Sequence, residues 1–165
     1  TLLFDSSPRG LDPRDDKDYY STNDTIILFK RIPNMAQTIL AFRGNISLTS
    51  SDLITHRFYL GGLDKIRGFY DGEFSGKFAW YTNAEIRSVQ YENDYIALQP
   101  TIFSDAGGAD NSFVKIFSRN IALSVGAGLR LAFPKINRVA IRVDVAKTLN
   151  PFSTYGVSLG LLQFF

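Results

Sequence analysis

The sequence predicts an all-β fold, an antiparallel transmembrane β-barrel of about eight strands with short periplasmic turns and long extracellular loops. Three observations carry that expectation. Apolar and polar residues alternate with a period of two, the connections alternate between tight and long, and no run approaches the roughly 20 apolar residues of a membrane-crossing helix. With 165 residues the chain has room for one domain, so 1–165 reads as a single barrel domain.

The strands are taken in chain order. A short one is expected at 1–5, followed by 20–32 and 35–45 on either side of Pro33-Asn34. At 77–89, Phe78, Trp80, Ala84 and Ile86 share one face, and Tyr81, Asn83, Glu85 and Arg87 share the other. A strand at 95–105 follows the turn Glu92-Asn93-Asp94. At 121–131, Leu123, Val125, Ala127, Leu129 and Leu131 oppose Ala122, Ser124, Gly126, Gly128 and Arg130. The clearest alternation is at 138–146, where Val139, Ile141, Val143 and Val145 oppose Arg138, Arg142 and Asp144. The last strand is expected at 155–165. Connections 6–19, 46–76, 106–117 and 148–154 are long, whereas the others, including 134–137, are tight. Tight turns at one end and long loops at the other describe a barrel in the outer membrane. A soluble sandwich would show the same alternation but has no reason for this parity.

Composition excludes several chemistries. The chain has no cysteine and one histidine, so thiolate metal sites, disulfides and histidine clusters are unavailable. A net charge of +2, spread along the chain, does not predict a nucleic-acid partner. No cofactor, metal or catalytic residue is expected. The enzyme alternative is a small outer-membrane barrel that modifies lipids, and its candidates would be Ser50, Ser51, Asp52 and His56 in the long loop. Asp12, Asp15, Asp16 and Asp18 read as a solvated loop. Aromatic residues near predicted strand ends, among them Trp80, Tyr95, Phe133, Tyr155 and Phe165, fit interfacial girdles.

A set of short motifs appears in one order along the chain. Gly61-Gly62 is followed by Ile66-Arg67-Gly68-Phe69, then Glu85-Ile86-Arg87, Phe103-Ser104-Asp105-Ala106-Gly107, Ser124 to Arg130 (SVGAGLR) and Arg142-Val143-Asp144. The ordered set resembles the C-terminal barrel of the BamA-type superfamily, the bacterial surface antigens, which includes outer-membrane assembly factors and two-partner-secretion transporters. The resemblance implies that the Arg67 loop folds back into the barrel, and that Arg67 reaches Asp105 and Glu85 on the inner wall. A planar guanidinium can bridge two carboxylates. Arg43, Glu85, Arg87, Asp105, Arg130, Arg142 and Asp144 are then expected to form a packed, polar interior. An eight-stranded interior is nearly filled by side chains, which leaves the extracellular mouth as an alternative seat for the loop.

The resemblance also implies a C-terminal insertion signal at Ser158, Gly160 and Phe165, read by the barrel-assembly machinery during biogenesis. Full members carry twice this strand count and periplasmic POTRA modules, neither of which lies within these 165 residues. The expected role is therefore a non-enzymatic outer-membrane barrel acting in membrane perturbation, protein assembly or envelope structure, or else the C-terminal part of a full-size barrel. Its expected partners are outer-membrane lipid and a second copy of the chain, joined through an exposed edge of the short first or the last strand.

Overall fold

A computed structural model describes residues 2–5, 19–33, 35, 37–118, 121–133, 135 and 139–163. The described chain forms β1 (Leu2–Asp5), β2 (Ser21–Arg31), β3 (Thr38–Thr49), β4 (Phe58–Leu60), β5 (Phe74–Gly76), β6 (Phe78–Ser88), β7 (Tyr91–Glu92), β8 (Ala97–Asp110), β9 (Ala122–Phe133), β10 (Val139–Asn150) and β11 (Tyr155–Gln163). Two single 3-10 turns, Ile54–His56 and Lys115–Phe117, lie in the long connections. All pairings are antiparallel.

Eight strands follow one another as β1-β2-β3-β6-β8-β9-β10-β11, and β7 joins β8 at the tight-turn end. The strand count thus departs from the expected eight: the main sheet has nine, and β4 and β5 form a separate hairpin. The additional strands are two or three residues long, below what an alternation pattern can reveal. The expected closed barrel also differs from what is seen. No pairing joins β1 to β11 among the described residues, and β1 covers only Ser21–Asp24 of β2. The turn residue Asn34 and most of 134–137 lie outside the described residues, as do 6–18.

Register fixes which residues share a face, because directly paired residues project to the same side. One row carries Ile27, Arg43, Asn83, Asp105, Ser124 and Thr148 across six strands. The next carries Phe29, Ala41, Glu85, Phe103, Gly126, Ala146 and Gly156. On this inner face Asn83, Glu85, Asp105, Arg130, Arg142 and Asp144 are buried. The outer face is apolar and exposed: Ile102 is 58% accessible and Leu159 74%, with Ile86, Val125, Leu129, Val143 and Val145 also exposed. An apolar exterior around a charged, buried interior inverts the soluble arrangement and suits a wall facing lipid.

The inner face is covered by the chain's own long loop. Residues 61–73, carried by the β4–β5 hairpin, reach the inner side of β3, β6, β8, β10 and β11, so the sheet curls around them. Leu60, Ile66 and Phe69 pack with Ala79, Tyr81 and Ala122 into an apolar cluster at the long-loop end. Below it the interface is ionic.

Candidate functional site

The loop is shaped by its glycines. Gly61 has φ +114°, and a Cβ there would run into the Tyr70 carbonyl. The Gly62 N–H donates to the Phe69 carbonyl at 3.0 Å, which closes the loop's base and projects residues 63–68 as a tongue. Gly68, at φ +89°, comes so close to β11 that a Cβ on Gly156 would sit 2.8 Å from the Gly68 Cα. Side chains at either position would hold the tongue off the wall.

At the tip, Arg67 is 2% exposed. Its Nε donates to Asp105 Oδ2 and its Nη2 to Asp105 Oδ1, each at 2.7 Å, a bidentate fork. Its Nη1 donates to Glu85 Oε1 at 2.7 Å, and its backbone N–H to Asp105 Oδ2 at 3.0 Å. Asp144 Oδ2 lies 3.6 Å from Nη1. The guanidinium carbon stands 3.4 Å from the centroid of the Phe103 ring, so the cation is stacked as well as paired. Burial alone lowers an arginine's pKa, but the hydrogen bond and charge of Asp105, with the charges of Glu85 and Asp144, outweigh it and raise that of Arg67. Arg67 therefore stays a cation.

The carboxylates have further partners. Glu85 Oε2 accepts from Arg87 Nε and from Arg130 Nη2, each at 2.7 Å, while Arg142 lies 3.9 Å from Oε1. Arg142 Nε donates to Asp144 Oδ2. Asn83 donates to Asp105 Oδ1 at 2.8 Å and to the Lys65 carbonyl at 2.6 Å, tying tongue backbone to wall. Arg43 donates to Asn83 Oδ1 at 2.8 Å and to the Asp64 carbonyl. Among the described residues the buried charges Arg67, Arg130 and Arg142 match Glu85, Asp105 and Asp144 in number, which is the condition under which a buried network is tolerable.

The structure therefore brings Arg67, Glu85, Arg87, Asp105, Arg43, Arg130, Arg142 and Asp144 into one cluster, with Phe103 beneath it. Phe69 sits in the apolar cluster beside the tip. Gly107 faces Ile66, whose Cδ1 would be 2.6 Å from a Cβ there. The tongue lies against the inner wall and not across the mouth, held there through Arg67, Asn83 and Arg43. Ser158 and Gly160 lie on the inner face of β11, paired with Asp144 and Arg142 of the cluster, and Gly160 faces Leu63. Phe165 falls outside the described residues. Sequence reasoning missed that Asp144 approaches Arg67 and that Phe103 stacks on it. The parity of Asp144 with Arg142, and of Phe103 with Asp105, was the available signal.

The loop residues Ser51 and His56 meet, with His56 Nδ1 2.8 Å from Ser51 Oγ. The same hydroxyl accepts from the Leu53 N–H, and His56 stacks on Tyr19 at 4.2 Å. Asp52 points at Lys77, 2.6 Å away. This is local turn bonding of the kind serine hydroxyls supply. Among the described residues no group of three or more His, Cys, Asp or Glu side chains is placed to hold a metal.

Residues 11–159 match the family model of the Omp85 superfamily domain. No curated protein matches the chain. The match spans the tongue, its ionic seat, β2 through β10 and the first part of β11, and it is consistent with a BamA-type barrel region and an outer-membrane protein. The chain belongs to the Omp85 superfamily.

Proposed function

We propose that the chain is a non-enzymatic, multi-pass wall of the bacterial outer membrane, held in shape by the seated Arg67 tongue and acting in outer-membrane protein assembly. The observation that carries the reading is a sheet with an apolar exterior and a buried ionic interior whose outer edges at β1 and β11 have no partner among the described residues. In hydrocarbon an unpaired edge is costly, so such an edge takes up another strand. That is what an assembly factor must do to a client barrel. The reading is tested by folding client barrels into vesicles with and without the chain: faster client folding supports it, and an unchanged rate removes the assembly role and leaves an envelope-structural one.

A second copy of the chain is the other edge partner we propose. Crosslinked dimers in membranes and a dimer by native mass spectrometry support it, and monomer by both methods excludes it. The remaining alternative is a lipid-modifying enzyme, whose candidates Ser51 and His56 meet while Asp52 turns to Lys77. An unchanged lipid profile after incubation with the purified protein disposes of that reading.

A further inference from the structure

The connection after β8 does something the tongue does not. Gly107 and Gly108 are neighbours on β8 and project to opposite faces, and each makes room for a different loop. Inside, Gly107 meets Ile66 of the tongue. Outside, a Cβ on Gly108 would stand 2.5 Å from the Ile116 carbonyl. Residues 111–118 therefore fold outward and lie on the exterior of the wall.

The contacts fix this segment there. Trp80, paired with Gly108 and so outward-facing, donates its Nε1–H to the Ile116 carbonyl at 2.7 Å. Its ring stacks on Phe117 at 5.6 Å and 23°. Phe113 packs edge-on to Phe78 at 5.7 Å and to Phe117 at 5.9 Å. Ile116 is wholly buried beneath them. Anchored in this way, the segment turns its remaining apolar groups away from the protein: Val114 is 76% exposed, Phe117 51% and Phe113 48%. Lys115, between them in sequence, is exposed too.

Height decides what covers them. Leu98 and Gly108 are outward positions of β8 ten residues apart, and the next outward residue, at the strand's upper end, is the charged Asp110. At ~3.4 Å per residue and a tilt of ~45° Leu98 and Gly108 are separated by ~24 Å along the membrane normal, against an apolar band ~25 Å tall. Gly108, Trp80 and the segment on them thus stand at the upper boundary of the band and continue its apolar surface. Aromatic rings with an adjacent lysine at that level match the acyl-chain tops and phosphates of a lipid leaflet.

We propose that residues 111–118 form an interfacial hook, with Phe113, Val114 and Phe117 inserted among the outer-leaflet acyl chains and Lys115 held at the phosphates. The inference rests on the sheet spanning a bilayer and deepens that reading by naming the loop that sets its depth. The chain lacks cysteine, so single nitroxide labels at V114C, I102C and T55C are unique. All three sites are exposed in the structure, which spares the fold.

The protein is folded into phosphatidylcholine and phosphatidylglycerol vesicles, and collision with oxygen is compared with collision with a water-soluble nickel chelate. Val114 is expected to show several-fold less nickel collision than Thr55, at a depth between Thr55 and Ile102. If Val114 matches Thr55 while Ile102 reads as lipid, the hook is in water and the proposal is overturned. If Ile102 itself reads as water, the membrane placement fails first and the hook with it. Trp80 is the sole tryptophan and needs no variant. Lipids brominated near the glycerol should quench it more than lipids brominated near the bilayer centre, and the reverse order overturns the proposal.

Discussion

Replacing Arg67 by lysine keeps the charge and removes the fork. Arg67 makes three side-chain hydrogen bonds to carboxylates, two to Asp105 and one to Glu85, each at 2.7 Å. A single ammonium cannot span both carboxylates from one position, so Arg67→Lys loses at least two of the three. Hydrogen bonds to charged groups contribute ~1.5–3 kcal/mol each, which places the cost at no less than ~3 kcal/mol. Arg67→Ala also removes the cation, leaving Glu85, Asp105 and Asp144 in excess over Arg130 and Arg142, and breaking a buried network in this way costs ~3–5 kcal/mol. The assay is urea unfolding of the protein in bilayers, followed by Trp80 fluorescence, with trypsin cleavage at Lys65 as a second reading of tongue docking. Both variants should unfold earlier, alanine more than lysine, and both should expose Lys65 to trypsin. If Arg67→Lys unfolds within ~0.5 kcal/mol of the parent and the tongue stays protected, the fork does not hold the tongue.

The same titration checks three further expectations. Glu85→Gln, which strips charge from a group serving Arg67, Arg87 and Arg130, should cost ~3–5 kcal/mol, whereas Asp52→Asn on the exposed Lys77 pair should stay within ~1 kcal/mol. Gly128→Ala would press a methyl onto the Asp144 carboxylate and within 3.0 Å of Thr101 Oγ1, costing ~1–3 kcal/mol, while Gly44→Ala meets only the Phe42 ring at 3.4 Å and should be near neutral. Ile102→Arg places a charge on the outer face and should cost ~2–4 kcal/mol in bilayers. Raising ionic strength should weaken the Asp52–Lys77 pair and leave the Arg67 cluster unchanged, measured as the salt dependence of each double-mutant coupling, since buried pairs are screened far less.

The wall was legible because a two-residue period repeats along β6, β9 and β10, and the faces assigned to Glu85, Asp105 and Val143 are those the register produces. Strand ends were read too short at the long-loop end. Residues 46–49, 106–110 and 147–150 continue β3, β8 and β10, yet Ser47, Thr49, Gly107, Gly108 and Thr148 look like loop in sequence. Gly107, Gly108 and Thr148 are small or polar because they face a tongue or a hook at close range, and Ser47 and Thr49 because they bond to Asn23, Asn45 and Ser51, not because the chain turns there. The acidic partners of Arg67 came from motif order. Asp144 and Phe103 at the same tip depend on cross-strand register and sheet curvature, which no single segment encodes. The β4–β5 hairpin was hidden because three-residue strands carry no period.

The most direct test of the account is the proximity of Arg67 to Asp105 in the folded protein in lipid, read by solid-state NMR dephasing between the labelled guanidinium nitrogens and the labelled aspartate carboxyl carbon. The two 2.7 Å contacts require strong dephasing, lost in Asp105→Asn if the ion pair is what seats the tongue. Absence of dephasing in protein whose outer wall is shown to face lipid would contradict the account.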